Sequence, residues 1–170
     1  ITSILQNKSS NYDTDVFMPI IEEIQQKTNC KIPYQGKVGK DDVNGYAMAY
    51  RVVADHIRTL TFAITDGAAP DTQGRNYVAR RICRRGVRYG QKLGGDVGFF
   101  KDLVNIVVKQ MSEAFPEIKK RQDIVQGIIE DEERLFSRTL KQGKKRFEKK
   151  VEQLKKEGKT EIDGESACTL

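Results

Sequence analysis

A chain of 170 residues, 38% hydrophobic and 32% charged, can bury one core but must leave much of its length in water. Thirty lysines and arginines against 24 acids give a net charge of +6, which suits a nucleic acid or another anionic partner. No apolar run approaches the roughly 20 residues of a membrane span, and the N-terminal residues lack the basic lead and length of a signal peptide. Three scattered cysteines (Cys30, Cys83, Cys168) suit free thiols in a reducing compartment rather than a disulfide framework. With no CxxC pair and His56 as the only histidine, a Cys/His zinc site lacks its four ligands. Glycine-rich phosphate loops of the Walker or dinucleotide type are absent.

In chain order, ITSILQNK (1–8) reads as the last turns of a helix, since Ile1, Ile4 and Leu5 share a side. Its uncapped start is what a piece cut from a longer protein would show. After a polar break at Ser9–Asp13, Asp13 or Thr14 is expected to cap a helix with Pro19 in its first turn, burying Phe17, Ile20, Ile21 and Ile24 and stopping near Asn29. Cys30 to Asp42 is a loop. A second helix, about Val43 to Ile64, carries the stripe Tyr46, Tyr50, Val53, Ile57, Leu60, Ile64. On another face Asp55 is expected to pair with Arg51 or Arg58, while the neighbouring Asp55 and His56 point apart, leaving His56 structural. Asp66-Gly67 followed by Pro70 is a stop signal.

The next stretch, Arg75 to Lys92, holds six arginines, one lysine and no acid. At about 100° per residue it divides into two faces. Ala79, Ile82, Cys83, Gly86, Val87 and Gly90 form one; Tyr77, Arg80, Arg81, Arg84, Arg85 and Arg88 form the other. Arginines four apart repel, each pair costing a few tenths of a kcal/mol. Either acids elsewhere in the fold or solvent offset this, or a polyanion does. Arginine's planar fork, which grips phosphate bidentately, favours the polyanion. The small apolar side permits close helix packing and makes Cys83 a buried small hydrophobe rather than a nucleophile. Thr72 stands where the N-cap is expected.

Leu93-Gly94-Gly95 breaks that helix, and Asp96 is placed to cap a helix over Val97–Ala114 whose apolar face is Phe100, Leu103, Val104, Val107, Val108 and Met111. Phe115-Pro116 starts a last, long helix to about Lys156, with core positions Val125, Ile128, Ile129, Leu135, Phe136 and Leu140 and a thinner continuation at Phe147, Val151 and Leu154. Gly127 and Gly143 are its weak points. The acids Glu130 to Glu133 read as a solvated face. The basic last third reads as a dipole-matched tail or as a second nucleic-acid contact. No stretch alternates as a strand does. The expected fold is therefore all-α: a helical bundle with an arginine-rich helix and a long C-terminal helix. Its expected parts are residues 1–12, a helical domain over 13–157, and the start of another element at 158–170.

At ITSILQNKSSNYDTDVF, AYRVVADHIRTLTFAITDG and PDTQGRNYVARRICRRGVRY, and on through FFKDLV, EAFPEI and IDGESACTL, the chain resembles the alanyl-tRNA synthetases, in the helical segment that follows their class II catalytic core. LQNKSSNYDTD and PYQGKVG bring it nearest the cytosolic eukaryotic branch, which implies a cytoplasmic protein. The family joins alanine to its tRNA through an ATP-derived adenylate. The resemblance places ATP, magnesium and alanine in the preceding core, so residues 1–12 would end that core and no catalytic residue, metal or cofactor is expected here. It implies a partner, the acceptor stem of alanine tRNA with its G·U identity pair, and neither a membrane nor an obligate protein partner. By the same resemblance, Arg75, Tyr77, Arg80, Arg81, Arg84, Arg85 and Arg88 stand where the family has its tyrosine and arginines. Thr72 replaces a usual asparagine, a G·U reader, and Asn76 replaces a glycine. Thr72 reads the pair by its hydroxyl, or Asn76 supplies the amide, or discrimination is weaker. The family's other reader, the aspartate of a Leu-Tyr-Asp motif, would begin at Leu170. The competing readings are a helical duplex-RNA module without tRNA specificity and an interaction bundle for acidic proteins.

Overall fold

The computed structural model describes residues 1–169, and every regular element among them is helical: α1 (Thr2–Leu5), α2 (Met18–Lys27), α3 (Tyr46–Thr65), α4 (Asn76–Lys92), α5 (Phe99–Asp102), α6 (Val104–Met111), α7 (Pro116–Lys120), α8 (Gln122–Lys156) and α9 (Gly164–Thr169), with short 3₁₀ turns at Asn11–Asp13 and Gly39–Asp41. Leu170, where the Leu-Tyr-Asp motif is expected to begin, lies outside the described residues. The chain divides into two compact units, Ile1–Glu133 and Arg134–Leu170, with α8 running through the division.

In the first unit α3 is the central post. Its stripe Tyr50, Val53, Ile57, Leu60 and Ile64 is fully buried, as the spacing demands, against helices α2, α4, α6 and α7. Ile20, Ile21 and Ile24 of α2, Leu103, Val104 and Val107 around α6, and Ile118, Val125 and Ile129 complete the core.

Several helix ends depart from the sequence expectation. Helix α2 starts at Met18, not at Asp13 or Thr14, because the Thr14 hydroxyl turns back to donate to the Asn11 carbonyl (2.6 Å). Helix α3 starts at Tyr46, where the Asp42 carboxylate accepts from the Ala47 and Met48 amides (3.2 and 2.8 Å). The single helix expected over Val97–Ala114 is divided at Leu103, and Asp96 contributes its carbonyl, not its side chain, to the Phe99 amide. The long helix is divided at Arg121, whose Nη1 donates to the Thr65 carbonyl (2.7 Å). Beyond that break α8 is continuous through Gly127 and Gly143.

Two expected pairings change. Arg51 does not meet Asp55; its Nε donates to the Tyr34 hydroxyl (3.0 Å) and its Nη2 to the Gly36 carbonyl (2.7 Å), while the guanidinium lies over the Tyr12 and Tyr34 rings. That clamp fixes the 28–45 loop on α3. Arg58 lies over Phe17 instead. Asp55 and His56 come together, Oδ2 to Nδ1 at 3.3 Å, because two short side chains can bridge the roughly 100° between adjacent helix positions.

The second unit holds the distal part of α8 and the return to α9. Gly158, at φ +69°, reverses the chain, and the Lys159 amide donates to the Leu154 carbonyl (2.9 Å). Asp163 caps α9 by accepting from the Ser166 amide and hydroxyl, both at 2.8 Å. The expected apolar stripe thins here: Leu135, Leu140 and Phe147 are exposed, while Leu154 is buried.

Candidate nucleic-acid interface

Helix α4 is seated by its smallest residues. Ala79, Cys83, Gly86, Val87 and Gly90 are buried on one side, and the rings of Phe99 and Phe100 fill the spaces that side chains at the glycines would need. A Cβ on Gly90 would meet Phe99 Cε1 at 2.6 Å, and one on Gly86 would run into the Phe100 ring tip. Gly86→Ala is thus expected to destabilise by about 1–2 kcal/mol, the overpacking outweighing the roughly 1 kcal/mol of improved helix propensity. Gly127→Ala, exposed on α8 with nothing within 4 Å of the added methyl, should stabilise by about 0.5–1 kcal/mol. Denaturant melts of the two variants check the opposed signs.

The arginines do not act as one face. Arg80 and Arg84 turn inward, and both place Nε on the same oxygen, Oε1 of Glu132 on α8 (3.2 and 2.5 Å). Glu132 is only 8% exposed, and the two arginine side chains are 17% and 27% exposed. This part of the helix realises the alternative of acids elsewhere in the fold, and the acidic run is not a purely solvated face: Glu132 and Glu133 are buried. Glu133 sits beneath the start of α5, its Oε1 3.5 Å from the Phe100 amide. Burial raises its pKa, opposed by the backbone N–H groups of Gly98, Phe100 and Lys101. The Cys83 thiol is pushed up to about 12 by burial and then by Glu132 and Glu133, so it is a packing residue and no nucleophile.

Arg75, Arg81, Arg85 and Arg88 are exposed, and none of the four forms an ion pair with a described residue. Tyr77, 46% exposed, lies under the Arg81 guanidinium at 5.9 Å, and Tyr89 lies under Arg85 at the same distance. Each stack restrains a long side chain and is worth about 0.5–1 kcal/mol. The result is an outward strip of cations held in place with aromatic rings among them, a surface that can track phosphates and stack on bases.

Thr72 is not the N-cap of α4; Arg75 occupies that position, without a side-chain cap, after Gly74 at φ +62°. Thr72 instead sits exposed in the preceding loop, where its amide and hydroxyl both donate to Asp71 Oδ1 (2.6 and 3.3 Å). With its proton committed to Asp71, the hydroxyl presents lone pairs outward as an acceptor. Asn76 opens α4, half-buried, and its carbonyl accepts from the Asp71 amide (3.4 Å). Asp71 is not marked out by the sequence, since its carboxylate meets the amide of the very next residue and not the one two positions on that an Asx turn would engage. Among the described residues no group of three His, Cys, Asp or Glu side chains could hold a metal ion.

The family described as class II (A) tRNA synthetases matches residues 1–170. The chain is 51% identical over its whole length to the alanine–tRNA ligase of Schizosaccharomyces pombe and 49% identical to the cytoplasmic alanine–tRNA ligase of Drosophila melanogaster. It is 43% identical to the mitochondrial alanine–tRNA ligase of Saccharomyces cerevisiae. It spans 17–18% of the length of these relatives. The chain belongs to the class II (A) tRNA synthetase family, with alanine–tRNA ligases as its relatives.

Proposed function

We propose that the chain is the tRNA-recognition segment of a cytoplasmic, eukaryotic-type alanine–tRNA ligase, and that it holds the acceptor stem of alanine tRNA for a catalytic core outside these residues. ATP, its magnesium and alanine belong to that core; this chain's own task is to bind and orient RNA. The observation that carries the reading is the outward strip Arg81, Arg85, Arg88 and Tyr77, unpaired with any described acid and adjoining the Thr72 loop. An A-form stem offers a shallow minor groove, in which a G·U pair displays the guanine amino group. The strip grips phosphates on either side of that groove, and the Thr72 hydroxyl, oriented by Asp71, accepts from the amino group.

Thr72→Val removes the hydroxyl at nearly constant shape. It is expected to cut the preference for a G·U over a G·C minihelix by about 1 kcal/mol, roughly fivefold, with the salt dependence unchanged. Asn76→Ala should change the preference less, since Asn76 is half-buried at the start of α4. Equal losses on both stems for Thr72→Val would leave the preference intact and reject Thr72 as the reader.

A further inference from the structure

A second concentration of positive charge lies outside the arginine helix. Between residues 134 and 156 stand ten lysines and arginines and two glutamates, a net +8, more than the +6 of the whole chain. All of this segment lies in the distal part of α8. At about 100° per residue, Arg138, Lys141, Lys145 and Lys149 fall on one side, spaced about 5–6 Å apart along the axis. All four are exposed, and none forms an ion pair with a described residue. The glutamate nearest them in sequence, Glu148, faces Lys144 off the stripe (3.9 Å), and Glu152 marks the stripe's far end.

The helix dipole does not account for them. Its influence fades within the last turn, which holds Lys155 and Lys156; Lys141, Lys145 and Lys149 lie two to four turns earlier. Lysines four apart repel instead, Lys141 with Lys145 and Lys145 with Lys149. A membrane-surface helix also sets its cations opposite its apolar side, but it needs that side broad and free; here it holds four residues over four turns, Leu140, Phe147, Val151 and Leu154, of which Val151 is half-buried and Leu154 buried. The returning chain approaches that apolar side: Lys159 bonds the Leu154 carbonyl, and Lys150 reaches Asp163 at 3.8 Å.

We propose that the stripe Arg138, Lys141, Lys145 and Lys149 is a second, sequence-independent binding surface for an RNA phosphate backbone. Lysine suits this role, as a flexible point charge that follows phosphates without selecting a geometry. The inference stands on the charge pattern of α8 and does not depend on how Thr72 reads a base pair.

The test is a Lys141→Gln, Lys145→Gln, Lys149→Gln triple variant of the full chain, titrated over a salt series with an alanine minihelix and with an unrelated RNA duplex of equal length. The slope of log affinity against log salt is expected to fall by about two units on both RNAs, with roughly tenfold or more lost at low salt. The melting temperature and the G·U to G·C ratio should be unchanged, which separates this outcome from failure of the Thr72 reading. Lys144→Gln, off the stripe, should leave the slope within about half a unit. An unchanged slope in the triple variant overturns the proposal, as does an equal fall with Lys144→Gln. Binding to phosphatidylserine vesicles that the triple variant abolishes, with RNA slopes intact, overturns it in favour of a membrane surface.

Discussion

Glu132→Ala is expected to destabilise the chain by about 3 kcal/mol, lowering the melting temperature by roughly 6–12 °C. Glu132 is the single acceptor for two arginines of another helix, and it is 8% exposed. Removing it takes away the carboxylate that Arg80 and Arg84 share at the α4–α8 contact and leaves the two like charges side by side. Their 17% and 27% exposure lets them turn partly toward water, which places the loss at the lower end of what breaking a buried ion pair costs. Glu132→Gln keeps shape and one acceptor oxygen but not the charge, so about half of the loss is expected. Thermal melts of both variants beside Glu130→Gln, whose carboxylate meets Lys101 in a more open setting (2.7 Å, 28% and 23% exposed), check the ranking. A Glu132→Ala melt within 2 °C of the parent would mean that the two arginines are held by something other than this carboxylate.

The second large effect falls on binding. Arg81→Ala with Arg85→Ala is expected to weaken the alanine minihelix by about 2–3 kcal/mol, roughly 30- to 150-fold, and to lower the salt slope by nearly two units. Both are exposed, each held over a tyrosine ring, so their loss should leave the fold intact. The loss should be nearly equal on G·U and G·C stems, because phosphate contacts carry no base information. Arg80→Ala is the informative contrast: a residue of the same helix, one position away, that should lower stability and scarcely move the salt slope. If the pattern were reversed, with Arg80 governing the slope and Arg81 the melt, the division of α4 into an inward and an outward set would be wrong.

That division marks the limit of what the sequence made legible. The class of fold, the central stripe of α3 and the small-residue side of α4 follow from periodicity, because burial imposes a 3.6-residue repeat wherever a helix meets a core. Which arginines face inward does not. Arg80, Arg81, Arg84 and Arg85 share one polar face by spacing, and only the arrival of Glu132, some fifty positions later, selects two of them. The helix breaks at Leu103 and Arg121 were hidden for a related reason. Neither has a glycine or proline at the break, and Arg121 is held by the carbonyl of Thr65, far away in the chain. Thr72 illustrates the converse. Its chemistry was legible, but its role as cap was not, since its hydroxyl is committed to Asp71. The lysines of α8 were visible as a run, yet the side to which each belongs became decisive only once the helix proved continuous through Gly143.

The measurement that bears most directly on the central claim, that the outward strip of α4 and the Thr72 loop together hold an alanine acceptor stem, is binding of the unmodified chain to that minihelix with G·U and then G·C at the identity pair, each over a salt series. The account predicts steep salt dependence on both stems and tighter binding to the G·U stem at every salt concentration. Affinity that is insensitive to salt, or identical for the two stems, would contradict it.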